Sequence, residues 1–144
     1  MAEGLGLIVV GVDESETARA AAETAARLAR LAGARLHVVT ALASIASERI
    51  AGPGTDEFYV DDAETARTFL EGVAAAWPDL DVSVEVGEGK PGEVVVEEAR
   101  RLGADLIVVG NRRVQGVSRV LGSVASDVAR HASCDVYIAH TVGR

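Results

Sequence analysis

The sequence predicts an α/β fold, a five-stranded parallel sheet with helices on both faces. Three observations carry this. Short β-branched apolar runs alternate with longer stretches whose apolar residues recur at helical spacing. The core material is aliphatic, because 49% of the 144 residues are hydrophobic and only 3% are aromatic. Gly33, Pro78 and Gly103 stand where helical stretches stop, as chain punctuation should. No linker, repeat or low-complexity stretch divides the chain, so residues 1–144 read as one domain.

The elements follow in order. Leu7–Val12 is a continuous apolar run, short and β-branched, and reads as a strand buried on both faces. Asp13-Glu14-Ser15 breaks it. From Glu16 to Leu31 the apolar positions 18, 21, 22, 25, 28 and 29 mark an amphipathic helix. Arg35–Ala41 is the second strand. Ser44–Tyr59 lacks a steady period and contains Gly52-Pro53-Gly54, so it reads as a surface loop. Helical spacing resumes over Asp61–Trp77, and Pro78 ends it. Asp81–Val86 alternates strictly, as a strand with one more exposed face does. Lys90-Pro91-Gly92 opens a helix to Leu102, with Pro early, where its missing N–H costs nothing. Asp105–Val109 is the most apolar strand, Gly110–Leu121 a loop, Gly122–His131 a short helix and Asp135–His140 the last strand.

Charge and composition narrow the function. A net charge of -8 argues against a nucleic-acid partner, which needs a basic face to displace counterions. A small anion is still compatible, because backbone N–H groups bind phosphate without net positive charge. The single cysteine, Cys134, forms no intrachain disulfide and suits a reducing compartment. The N-terminus lacks a basic leader, and no run approaches the ~20 residues that span a bilayer. A cytoplasmic protein with no membrane association is expected.

Ligands of open α/β sheets sit at the carboxyl ends of strands, where the strand order switches. Two such ends stand out, Gly11–Ser15 and Gly110–Arg113, the latter continuing to Gly122-Ser123. Gly110 ends a buried strand, where a Cβ would block close backbone approach. Gly122-Ser123 starts a helix whose first N–H groups have no intrahelical partner and whose dipole favours negative charge. With the Ser123 hydroxyl these form an anion cradle. The competing reading is a plain turn glycine and an ordinary helix start.

The segment DLIVVGNRRVQGVSRVLGSVASDVARHASCDVYIAH, Asp105–His140, resembles the C-terminal half of the universal stress protein family. That family carries G-x2-G-x(8 or 9)-G-[ST] after a DLIVVG strand. IVVGVDESETARAAAETAARLARLAGARLHVVTA is similar to its opening strand, Asp-x-Ser turn and first helix, and GEGKPGEVVVEEARRLGAD to its approach to the fourth strand. The likeness spans nearly the whole chain except about residues 42–60.

The resemblance implies a flavodoxin-like three-layer sandwich of the adenine nucleotide alpha hydrolase type. It implies a stress-response homodimer, paired through Asp135–His140, that binds ATP or another adenine nucleotide (AMP or cAMP), with or without Mg2+. Val12 and Asp13 match the turn that contacts adenine and ribose, and Val39 the second-strand adenine contact. Gly110 matches the first motif glycine, Gly122 and Ser123 the phosphate-holding pair, with Val124 beside them. Asn111, Arg112 and Arg113 belong to the same loop. Arg113 stands where the family has its second glycine. It either clamps phosphate with its guanidinium or fills the loop and weakens binding.

Other residues are assigned simpler roles. Gly87-Glu88-Gly89-Lys90 fails as a P-loop, because Pro91 follows where Ser or Thr is needed and removes an N–H. His37, His131, His140 and Cys134 lack partners at metal-ligand spacing and read as core or surface residues. Arg112, Arg113 and Arg119 are the one basic concentration and either assist an anionic ligand or form a solvated loop. No catalytic base is evident beyond Asp13. Binding without turnover is therefore expected, and slow ATP hydrolysis or a nucleotide-free interaction module are the other readings.

Overall fold

Five parallel strands form one sheet in the order β3-β2-β1-β4-β5, as a computed structural model of the chain shows. The structure describes residues 4–13, 16–42, 56–111 and 121–140. The strands are β1 (Leu7–Gly11), β2 (Arg35–Leu42), β3 (Val82–Glu88), β4 (Leu106–Gly110) and β5 (Asp135–Ala139). The helices are α1 (Glu16–Ala32), α2 (Asp56–Ala75), α3 (Pro91–Leu102) and α4 (Ser123–His131). No helix among the described residues is long and apolar enough to cross a membrane.

The alternation along each strand fills two separate cores. Ile8, Val10, Leu36, Val38, Leu106 and Val108 face α1 and α2, where Ala21, Ala25, Ala29 and Leu70 meet them. Val9, Val39, Ile107 and Val109 face α3 and α4, against Val95, Val96, Ala99, Ala125 and Val128. Each fully buried Val, Leu or Ile contributes about 1.5–3 kcal/mol relative to exposure. This double coverage explains why the central strands read as continuous apolar runs. α1 and α3 both end on a left-handed glycine, Gly33 (φ 69°) and Gly103 (φ 68°), a conformation that costs other residues about 1–2 kcal/mol.

One sequence expectation is corrected. Helix α2 begins at Asp56, so the last four residues of the stretch read as loop, Asp56–Tyr59, are helical. Tyr59 and Val60 stand four and three residues before Ala63, in helical register, but as part of the consecutive apolar run Phe58–Val60 just after Gly52-Pro53-Gly54 they show no clean period by themselves. The helix also stops at Ala75, and bonds from Ala76 N–H to Val73 and from Trp77 N–H to Ala74 tighten its end before Pro78.

The topology positions the site. From β1 the chain proceeds outward through β2 and β3, then returns to the other side of β1 for β4 and β5. The order therefore switches between β1 and β4, paired in register Val10↔Val108, and their carboxyl ends diverge there.

Candidate functional site: the cleft at the strand-order switch

A cavity of about 660 Å³ opens at those ends. Gly11, Val12 and Asp13 line it from β1, Val39, Thr40 and Ala41 from β2, Val109 and Gly110 from β4, and Leu121 to Ala125 from the start of α4. Its floor is held by backbone. The Val12 N–H donates to the Val39 carbonyl at 2.8 Å, and the Thr40 hydroxyl donates back to the Val12 carbonyl at 2.8 Å. The turn after β1 is thereby locked to β2.

Gly110 has a packing reason to be glycine. A Cβ there would lie 2.8 Å from Thr17 Cγ2 and 3.0 Å from the Thr17 carbonyl oxygen, so the close approach is that of α1. Gly11 is equivalent on the other face, where a Cβ would meet Val95 Cγ2 at 2.6 Å.

The opposite wall is the N-terminus of α4. Gly122 is its N-cap (φ -65°, ψ 167°), no side chain caps it, and its first turn carries no acidic residue. By helix geometry the N–H groups of Ser123, Val124 and Ala125 have no intrahelical acceptor. They and the positive end of the dipole face the cleft. Asn111 orients this end: its side-chain oxygen accepts the Gly122 N–H at 2.9 Å across the loop.

Of the residues singled out in the sequence, Val12, Asp13, Val39, Gly110, Gly122, Ser123 and Val124 line the one cavity. Asn111 supports it through Gly122. Arg112, Arg113 and Arg119 lie outside the described residues. Thr17, Ala18, Thr40, Ala41, Pro91 and Val95 also line the cleft and were not anticipated. Thr40 carried a usable signal, being the one hydroxyl inside the apolar run of β2.

The glycines of Gly87–Lys90 serve packing and a turn. A Cβ on Gly87 would meet Val94 at 2.6 Å, Gly89 has φ 131°, and Lys90 is the extended N-cap of α3. Cys134 is half-buried, and burial, followed by Asp135 and Asp105, pushes its thiol above the usual range. Among the described residues no group of three or more His, Cys, Asp or Glu side chains is placed to hold a metal ion.

The model of the universal stress protein family matches residues 6–140, which run from just before β1 to just past β5. The chain belongs to the universal stress protein family. A universal stress protein of Synechocystis is 29% identical over 157 aligned positions, covering 94% of this chain and 97% of its own. Universal stress protein G of Salmonella typhimurium is 32% identical over 105 positions, 72% of this chain and 73% of its own. Among solved structures, a universal stress protein crystallised in complex with cAMP is 29% identical, with a TM-score of 0.69 over 96% of this chain and 99% of that one. The five-stranded parallel sheet with helices on both faces is thus the architecture of the family as well as of this chain.

Proposed function

We propose that this universal stress protein binds an adenine nucleotide (ATP, AMP or cAMP) in the cleft at the strand-order switch and acts by binding, without turnover. The uncapped N-terminus of α4, facing a 660 Å³ cavity, carries this reading. Phosphate sits on Gly122, Ser123 and Val124, where N–H groups and dipole favour an anion. Val12, Asp13 and Val39 contact adenine and ribose across the cleft, Gly110 borders it, Asn111 holds Gly122, and Arg112 and Arg113 belong to the nucleotide-binding set. Mg2+, where the nucleotide carries it, comes bound to the phosphates. The relative crystallised with cAMP supports an adenine nucleotide as the ligand class.

The protein works as a homodimer. β5 is an edge strand with Tyr137 and Ile138 exposed, which invites pairing with a second copy. Nucleotide occupancy changes conformation or partner choice in a cytoplasmic stress response. A nucleotide-free dimeric module is the second reading, favoured by Arg113 at the family's second glycine. Native mass spectrometry of freshly purified protein separates them. The proposal expects dimer mass with a co-purified adenine nucleotide, or calorimetric binding of ATP, AMP or cAMP. A dimer that neither carries nor binds any of the three contradicts it.

A further inference from the structure

Outside the cleft, one cluster of polar side chains has the connectivity of an activated nucleophile. His37, on β2, is 4% exposed and has both ring nitrogens engaged. Nε2 lies 2.8 Å from Glu98 Oε2 on α3, and Nδ1 lies 2.6 Å from the Ser83 hydroxyl on β3. Glu98 is in turn gripped by Arg101 through two bonds, Nη2 to Oε2 at 2.6 Å and Nε to Oε1 at 3.1 Å. That grip, opposed by burial and aided by His37, holds the Glu98 carboxyl below its usual range. An ionised carboxylate only accepts hydrogen bonds. Nε2 therefore carries a proton toward Glu98, and in the neutral imidazole this leaves Nδ1 as the acceptor of the Ser83 O–H.

We propose that Ser83 is a base-activated nucleophile that takes acyl groups from small neutral esters, with His37 as general base and Glu98 as its positioning carboxylate. Nucleophile, base and orienting acid are recognised by this geometry and these roles, not by sequence order. Ser83 is exposed while its base is buried, the arrangement a reagent from solvent requires. A donor for the developing oxyanion is also at hand. Bonds from Leu36 N–H to the Asp81 carbonyl and from Gly89 N–H to the Leu42 carbonyl turn the odd-numbered residues of β3 toward β2. The N–H of Val84, next after the nucleophile, then points out of the open sheet edge.

The substrate class follows from the surroundings. Ser83 lies on the edge strand with its side chain on the α3 face, opposite the apolar face that Val82 and Val84 turn toward α2. Glu85 lies two residues along β3 on the same face, and with Glu98 it outnumbers Arg101, so a neutral substrate is favoured over an anionic one. In the acyl-transfer step the Ser83 Oγ–carbon bond forms and the ester carbon–oxygen bond breaks. The hydroxyl proton passes to His37 Nδ1 and then to the departing alkoxide. Water, deprotonated by the same nitrogen, releases the acid and restores Ser83. This site is independent of the nucleotide reading.

The test is incubation of the intact protein with p-nitrophenyl acetate, followed by release of p-nitrophenolate and peptide mapping of the acetyl group. The proposal expects one equivalent of acetyl on Ser83, formed about 100-fold faster than on exposed Ser123, as general-base assistance gives. Ser83→Ala should lose the burst. Glu98→Gln should slow it about tenfold or more in protein still folded at the assay temperature, with acetylation of exposed Ser123 unchanged, a split that a purely structural carboxylate would not produce. Should that variant fail to fold, Arg101→Gln, altered at an exposed guanidinium, should show the same slowing. No acetyl on Ser83, acetyl confined to Lys90 or the N-terminus, or an undiminished burst in the folded variants would overturn the assignment.

Discussion

Helices α3 and α4 lie side by side on one face of the sheet and begin in opposite ways. α3 opens on Lys90 and Pro91, which has no N–H, and carries Glu93 in its first turn. Its dipole is answered from within the helix and one orphan donor is removed at the start. α4 opens on Gly122, keeps every N–H and has no acid in its first turn. The two N-termini border the same cleft, through Pro91 and through Gly122 to Ala125. Only one of them is left for an anion from outside. The lesson is that a helix start is open to an anion as much by what it omits as by the glycine it contains.

The contrast can be broken at five places. The largest effect is expected at Gly92, where the two helices touch: a Cβ there would lie 2.7 Å from Asp127 Cβ of α4. Gly92→Val should destabilise the fold by about 1–3 kcal/mol in denaturant unfolding, as overpacking does, and displace α4 enough to weaken nucleotide binding too. Next, Gly122→Val should reduce AMP affinity tenfold or more (about 1.4 kcal/mol) in calorimetry with little change in melting temperature. Lys90→Ala, the matched change at the start of α3, should leave that affinity within twofold.

Ser123→Asp makes α4 resemble α3. It should stabilise the helix by about 0.3–1 kcal/mol in thermal unfolding while lowering nucleotide affinity, an opposed pair of effects that a passive helix start would not give. Glu93→Gln is the smallest: a loss of at most about 0.3–1 kcal/mol, shrinking as salt is added, with nucleotide affinity unaltered.

Much of this was legible in the sequence because the two cores impose simple rules. Ile8 and Val10 face one helical layer and Val9 the other, so β1 had to be apolar at every position. Gly122-Ser123 was legible because a helix start needs only local signals. The start of α2 was not, since Gly52-Pro53-Gly54 signals a loop and the consecutive apolar run Phe58–Val60 masks the period. Gly110 was found for its place in a motif, yet the atoms that exclude a Cβ belong to Thr17, 93 positions away in the chain. His37 read as an isolated core histidine, because Ser83 and Glu98 reach it only through strand pairing and the packing of α3. Contacts of that range leave no spacing in the sequence to detect.

The central claim, that α4 holds the phosphate of an adenine nucleotide, is met most directly by calorimetric titration of adenosine and AMP into the wild type and Gly122→Val. The account predicts that the wild type binds AMP at least tenfold more tightly than adenosine, and that the gap closes in the variant through loss of AMP affinity alone. Equal affinities for the two ligands in the wild type, or an AMP affinity undiminished by Gly122→Val, would contradict it.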